Sequence, residues 1–310
     1  MLHAVLEWLG KWHRPARRVL FLLVRALMRR LGFAGARRIG PALGALHYLL
    51  GARERKRCLH DLAALQHLEP GDPRVVSQLR EAYRVNTIAV LEVLAMVDRK
   101  VEVAQLQSQC RVDGLPILEA ARTGRGVILL ATHSGNSLLL AVQLADAGWP
   151  VTIVYRHARM MSEQFFAQGL PRYGIQGILA NEGFRAYAQM LDALRHNRIL
   201  FAMMDQGVKE AESGISMQFL GKTMPMPGGV MQLARQSRAP IVPIVTLAAE
   251  PVWHFSLQSP IVFQPGGTLE EDLRIVLDVV ERQIMERPQL WSWHQRRWRD
   301  FPVAPRQPRR

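Results

Sequence analysis

The spacing of apolar residues changes once along the chain. Up to about residue 100 they recur at helical intervals, as in "RVVSQLREAYRVNTIAVLEVLAMV", which follows a loop marked by Gly71, Asp72 and Pro73. Beyond residue 110 they gather into short runs closed by a polar or turn residue: "GVILLAT", "PVTIVYR", "RILFAMMD" and "APIVPIVTL". Between these lie helical patterns, "NSLLLAVQLADAG", "FRAYAQMLDALRHN" and "GGVMQLARQS", and "DLRIVLDVVERQIMER" predicts a late helix. Strands alternating with helices predict an α/β fold with a largely parallel sheet. No internal repeat and no low-complexity linker interrupts the pattern.

The stretch "RPARRVLFLLVRALMRRLGF" has a different character. Its apolar core, Val19 to Met28, includes Arg25 and is too short to cross a bilayer, which takes roughly 20 apolar residues. No small-residue cleavage site follows, so a signal peptide is not expected. On a helix, Leu20, Leu23, Leu27 and Leu31 share one face, and Arg18, Arg25 and Arg29 fall on another. Such a basic amphipathic helix either lies in a membrane interface or packs on the protein's own core with its arginines exposed.

Charge sharpens this reading. In a chain of 310 residues, 40 Lys and Arg oppose 26 Asp and Glu, a net charge of +14. Residues 1–60 hold thirteen basic residues against Glu7 and Glu54, and the last fifteen hold six arginines against Asp300. The excess suits an anionic partner: acidic headgroups, a phosphorylated substrate or nucleic acid. The only cysteines, Cys58 and Cys110, lie far apart without CxxC spacing, which argues against a disulfide scaffold or structural zinc. No metal-ligand cluster stands out, and neither a metal nor a cofactor is expected.

In α/β folds chemistry gathers beyond the carboxyl ends of the strands. His133 follows "VILLAT" directly, and Ser134, Gly135 and Asn136 turn the chain into a helix whose first N–H groups suit an anion or an oxyanion. Arg156 closes the next strand, with His157 and Arg159 adding positive charge. Asp205 and Gln206 end a third strand, so Asp205 is a carboxylate placed by topology at the edge that carries His133. Gly221 and Lys222 form a basic turn in "FLGK", and Gly228 and Gly229 open a helix where a ligand can approach the backbone. Each has a plainer alternative: a structural turn histidine, a surface arginine, a salt-bridged aspartate, or turn chemistry alone. In "QLWSWHQRRWRD" Trp291, Trp293 and Trp298 either stack on nucleic acid or pack on the domain while Arg296, Arg297 and Arg299 face an anionic surface. His294 is either structural or reaches the cleft.

These blocks occur in one order: "HSGN" after a strand, a later "YR", "MMDQG", "FLGKTMPMPGGVMQLAR" with "APIVPI", and "QLWSWHQRRWR". Over roughly residues 80 to 300 the series resembles the lipid A late acyltransferase family, within the glycerolipid and lysophospholipid acyltransferase superfamily. The resemblance implies αβα layers around a mostly parallel mixed sheet. It implies transfer of a fatty acyl group from an acyl carrier protein or CoA thioester to a hydroxyl of a lipid acceptor. His133 matches the family's general base and Asp205 its acidic position after the later strand. Ser134, Gly135, Asn136, Arg156, Gln206, Gly221, Lys222, Gly228 and Gly229 fall in the substrate-binding blocks.

The chain departs from the family in one place. The family motif places Asp or Glu after His and four residues, where this chain has Leu138. A leucine cannot fix the imidazole tautomer or stabilise an imidazolium. Asp205 or Glu182 replaces it from another loop; or a backbone carbonyl holds the ring; or the chain binds lipid or carrier protein without transfer. The atom that faces His133 Nδ1 is then the contact that defines the chemistry.

The expected organisation is a basic, amphipathic helical membrane-docking region over residues 1–100, an α/β acyltransferase domain over 101–303 and a basic tail over 304–310. The expected place is the cytoplasmic face of the bacterial inner membrane, held on an anionic surface as a peripheral or monotopic protein. A nucleic-acid role is not expected, because the basic residues are mixed with long aliphatic side chains and no nucleic-acid motif accompanies them.

Overall fold

The computed structural model describes residues 2–98, 101–156, 164–208 and 214–294, with the backbone alone for 2–18 and Leu20. In chain order the elements are α1 (Leu2–Leu50), α2 (Ala52–Gln66), α3 (Pro73–Asp98), α4 (Val103–Gln107), β1 (Cys110–Asp113), α5 (Leu115–Ala121), β2 (Val127–Ala131), α6 (Ser137–Asp146), β3 (Val151–Tyr155) and α7 (Gln164–Gly169). There follow β4 (Gln176–Leu179), α8 (Phe184–Arg195), β5 (Ile199–Met203), β6 (Ile215–Phe219), β7 (Lys222–Met226), α9 (Gly229–Ser237), β8 (Ile241–Ala248), β9 (Trp253–Leu257) and α10 (Leu269–Glu286). The late helix opens on a capping box, with Thr268 accepting from the Glu271 N–H while Glu271 accepts from that of Thr268.

Seven strands form one sheet in the order β1-β9-β8-β2-β5-β3-β4, and β6 and β7 form a separate hairpin. Every neighbouring pair of the large sheet is parallel except β8 with β9. Strand β2 is buried along its whole length, as its unbroken apolar run requires. Its alternate residues feed two separate cores. Val127, Leu129 and Ala131 join α1, α3 and α6 on one face. Ile128 and Leu130 join α8, α9 and α10 on the other. The result is the mostly parallel, helix-covered sheet that the alternating pattern predicts.

The first helix kinks at Gly32 and packs along α3. Its inward stripe is Phe21, Val24, Arg25 and Met28, at the i, i+3, i+4, i+7 spacing of one helix face. Arg25 therefore does not lie on an open basic face, as the helical wheel suggested, and the more exposed Arg29 reaches the same Asp98 carboxylate at 3.4 Å. Its Nε donates to Asp98 Oδ2 at 2.6 Å, and that nearly buried carboxylate is what lets a guanidinium face inward. The apolar residues Val19, Leu22, Leu23, Leu27 and Leu31 face outward instead, with Leu23 63% exposed. Burial against the protein's own core does not account for these leucines.

Candidate active site

Register explains why His133 and Asp205 meet. Strands β2 and β5 are parallel neighbours, and Ala131 pairs with Met203. Each strand runs on by two residues, to His133 and to Asp205, so the two side chains leave the same edge one strand spacing apart, roughly 4.8 Å.

The turn after β2 is held at every residue. The His133 N–H donates to Asp205 Oδ2 at 2.8 Å, and the His133 carbonyl accepts from the Ser292 N–H at 3.1 Å. The Ser134 carbonyl accepts from the Thr246 hydroxyl at 2.8 Å, and its own hydroxyl accepts from Thr132 at 2.9 Å. Gly135 has φ +76°, and a Cβ there would lie 2.4 Å from the Trp253 ring, so only glycine fits. Asn136 caps α6 by accepting from the Leu139 N–H at 3.2 Å.

The imidazole is bound at both nitrogens. Nδ1 lies 2.7 Å from Asp205 Oδ1, and Nε2 lies 3.1 Å from the Gln206 amide nitrogen. A carboxylate only accepts, so Nδ1 carries the proton; the amide donates, so Nε2 presents its lone pair. Nδ1 thus faces Asp205 rather than the cleft, and Nε2, which accepts from the Gln206 amide, is the nitrogen with a lone pair for a substrate proton. Asp205 is 0% exposed, and its Oδ2 also accepts from Trp291 Nε1 at 2.7 Å. Donors of this kind offset the cost of removing a carboxylate from water. The His133 ring keeps 29% of its side-chain exposure, enough to be reached.

Leu138 is buried, at 9% exposure, in the apolar cluster beneath α6. The Asp205 carboxylate stands at His133 Nδ1, where neither Leu138 nor a backbone carbonyl does. Glu182 sits past β4, three strands from β2 and so roughly 14 Å along the sheet, and pairs with Arg185 at 3.4 Å. Arg156 is exposed just beyond β3, two strands from β2, roughly 10 Å away at the same edge.

The remaining predicted residues lie elsewhere or at the rim. Leu220 and Gly221 take φ +46° and +74° and close the β6–β7 hairpin. This turn rests on helices: the Leu220 N–H donates to Glu281 at 2.7 Å, and Lys222 Nζ reaches Asp61 of α2 at 2.6 Å. Gly228 caps α9, and a Cβ there would meet Ile215 at 2.9 Å, whereas Gly229 borders open space. The short link from α9 to β8 puts the end of α9 at the amino edge, so its glycine start points toward the carboxyl edge.

Trp291 and Trp293 are buried, their rings 4.7 Å apart and edge to face. They are core residues, which removes them from any stacking surface for nucleic acid. Trp298, Arg296, Arg297, Arg299 and the tail lie outside the described residues, as do His157 and Arg159. The His294 ring packs against Tyr83 and His47, each 5.3 Å away. Burial raises the Cys58 thiol to about 11 and the Cys110 thiol to about 12, so neither is a ready nucleophile. Sequence reading missed the service that Trp291, Ser292 and Thr246 give to the turn. The available signal was chemical: a buried indole N–H needs an acceptor.

Two phosphatidylinositol mannoside acyltransferases of Mycobacterium tuberculosis, from strains H37Rv and CDC 1551, are each 24% identical to the chain over 222 residues. The match covers 71% of this chain and 66% of theirs, just under two thirds of the relatives' length. The model of the bacterial lipid A biosynthesis acyltransferase family matches residues 11–300. The chain belongs to that family.

Proposed function

We propose that the chain transfers a fatty acyl group from a thioester, on acyl carrier protein or CoA, to a hydroxyl of a membrane lipid, with His133 as general base. The observation that carries this reading is the Asp205–His133 contact, which leaves Nε2 as the reachable acceptor.

The acceptor hydroxyl takes the place of the Gln206 amide at Nε2. Its proton passes to Nε2 as its oxygen attacks the thioester carbonyl carbon. Asp205 balances the imidazolium that forms, and the amino end of α6, directly after the turn, favours the developing negative charge. Collapse of the tetrahedral adduct breaks the carbon–sulfur bond. The leaving thiolate takes the proton back from Nε2, and the ring returns to its starting tautomer. The mycobacterial relatives carry a mannoside in their name, which favours a sugar-bearing lipid as acceptor. A lipid-binding protein without transfer was the reading that Leu138 suggested, and it loses its support once Asp205 stands at Nδ1.

The outward leucines of α1 support docking of the chain on an anionic membrane surface, on the cytoplasmic face of the inner membrane. Arg29, Arg30 and Arg38 are exposed on the same helix, and each basic residue near such a surface adds about 1 kcal/mol. No described helix is long and apolar enough to cross a membrane. The test is direct: purified protein, a radiolabelled acyl thioester and a bacterial lipid extract yield a labelled lipid, and His133→Ala abolishes it. Equal background from wild type and variant, across both carriers, would sink the proposal.

A further inference from the structure

Glu92 lies in the apolar middle of α3, "VLEVLAMV", and is 0% exposed. Apolar packing gives no reason for a carboxylate there, yet both its oxygens are occupied. Oε1 accepts from Arg37 Nε of α1 at 3.0 Å. Oε2 accepts from Asn136 Nδ2 at 3.0 Å and from Trp253 Nε1 at 2.6 Å. Two of these three donors form the walls of the His133 turn. Asn136 caps α6 three residues beyond His133, and the Trp253 ring fills the space that any side chain at Gly135 would need.

We infer that Glu92 is a positioning residue for acyl transfer: its buried carboxylate fixes Asn136 and Trp253, and through them the His133–Asn136 turn, and Arg37 anchors it to the first helix. The site calls for an acceptor on both oxygens. A glutamine of the same shape would turn an N–H₂ toward either Arg37 or the Asn136 and Trp253 donors, and one side of the network would open. Burial pushes the Glu92 carboxyl up, and Arg37 opposes this by charge, with Asn136, Trp253 and Arg37 donating to it. Arg37 is itself fixed, its Nη1 donating to the Pro251 carbonyl at 3.0 Å, and its guanidinium lies 5.7 Å from the centre of the Trp253 ring. The carboxylate thereby joins the catalytic turn to the helix that carries the outward leucines.

This inference rests on His133 acting as base, and the experiment keeps the two apart. Hydrogen exchange over residues 133–140 reads the turn without turnover, and His133→Ala tests the base by itself. Glu92→Gln should exchange at least tenfold faster there. With palmitoyl-CoA or palmitoyl–acyl carrier protein and a bacterial lipid extract, its kcat should fall about tenfold and its KM for donor stay within about twofold. Because Glu92 acts in part through Asn136 and in part through Trp253, the losses of Glu92→Gln and Asn136→Ala should combine to less than their product in the double variant. Exchange and kcat within about twofold of wild type overturn the inference. So do losses that multiply in the double variant, or a loosened turn with unchanged kcat, which makes Glu92 structural only. Should Glu92→Gln fail to fold, Arg37→Gln, at a half-buried position, carries the test: exchange at residues 133–140 rises at least threefold, and unchanged exchange overturns the inference.

Discussion

Asp205 grips His133 twice, through the ring at Nδ1 (2.7 Å) and through the backbone N–H (2.8 Å). One carboxylate thus sets both the tautomer of the imidazole and the place of its Cα. Asp205→Asn keeps the shape and loses the charge that balances an imidazolium. Its kcat should fall at least a hundredfold, about 2.7 kcal/mol of barrier, with KM for the donor little changed. Steady-state kinetics beside a thermal melt check this. A rate within threefold of wild type would remove Asp205 from the mechanism.

Restoring the family's acid at position 138 should not help. Leu138 lies inside the apolar cluster beneath α6, and Asp205 already occupies Nδ1. Leu138→Glu buries a carboxyl without a partner, a cost of roughly 3 kcal/mol, and should lower the Tm by several degrees without raising kcat. It should also fail to rescue Asp205→Asn. A rescued rate in that double variant would show that α6 can turn this position toward the ring.

Acid sensitivity should trace in part to Glu54. Burial raises its carboxyl, but hydrogen bonds from His47 and Tyr83 and the charges of His47 and His294 outweigh burial and hold it below its ordinary value of 4.5. A depressed carboxyl contributes stability above the unfolded-state value, and the contribution is lost as pH falls through the lower folded value. Urea melts of wild type at pH 6, 4 and 3 should therefore show a loss below about pH 4.5. Glu54→Gln should start less stable and lose less over that window. Parallel curves for the two proteins would refute the assignment.

The sequence showed which strands end in chemistry, but not which strands lie side by side. "GVILLAT" and "RILFAMMD" read clearly as buried strands because both faces of each are covered. That β2 and β5 are neighbours follows from the crossovers through α6 and α8, and no local pattern encodes it. Strand β9 was missed because "WHFSL" alternates with polar residues on its half-covered face. The β6–β7 hairpin was seen only as its turn, "FLGK", since its strands are short and include Pro225. Glu92 is one polar position in an apolar stretch of α3, and the sequence pattern gives it no mark. Its role depends on Asn136 and Trp253, 44 and 161 residues away in sequence. Arg25 was assigned outward because a helical wheel sorts by side-chain type, and Asp98 reverses that choice locally.

The outward face of α1 gives the last prediction. Leu23 and Leu27 are 63% and 42% exposed, so replacing both with Asn should leave the melting temperature within about 2 °C. On a membrane the same pair would bury apolar surface worth about 1.5–3 kcal/mol per side chain if fully covered. The double variant should then bind phosphatidylglycerol-containing vesicles at least tenfold more weakly in sedimentation, while wild-type binding falls as salt rises. The arginines supply the salt-sensitive part, since screening shortens to about 10 Å at 0.1 M ionic strength; the leucines supply a part that salt leaves in place. Binding unmoved by the leucine changes would place the docking surface elsewhere. Binding unmoved by salt and by lipid charge would leave the arginines of α1 without a part in it.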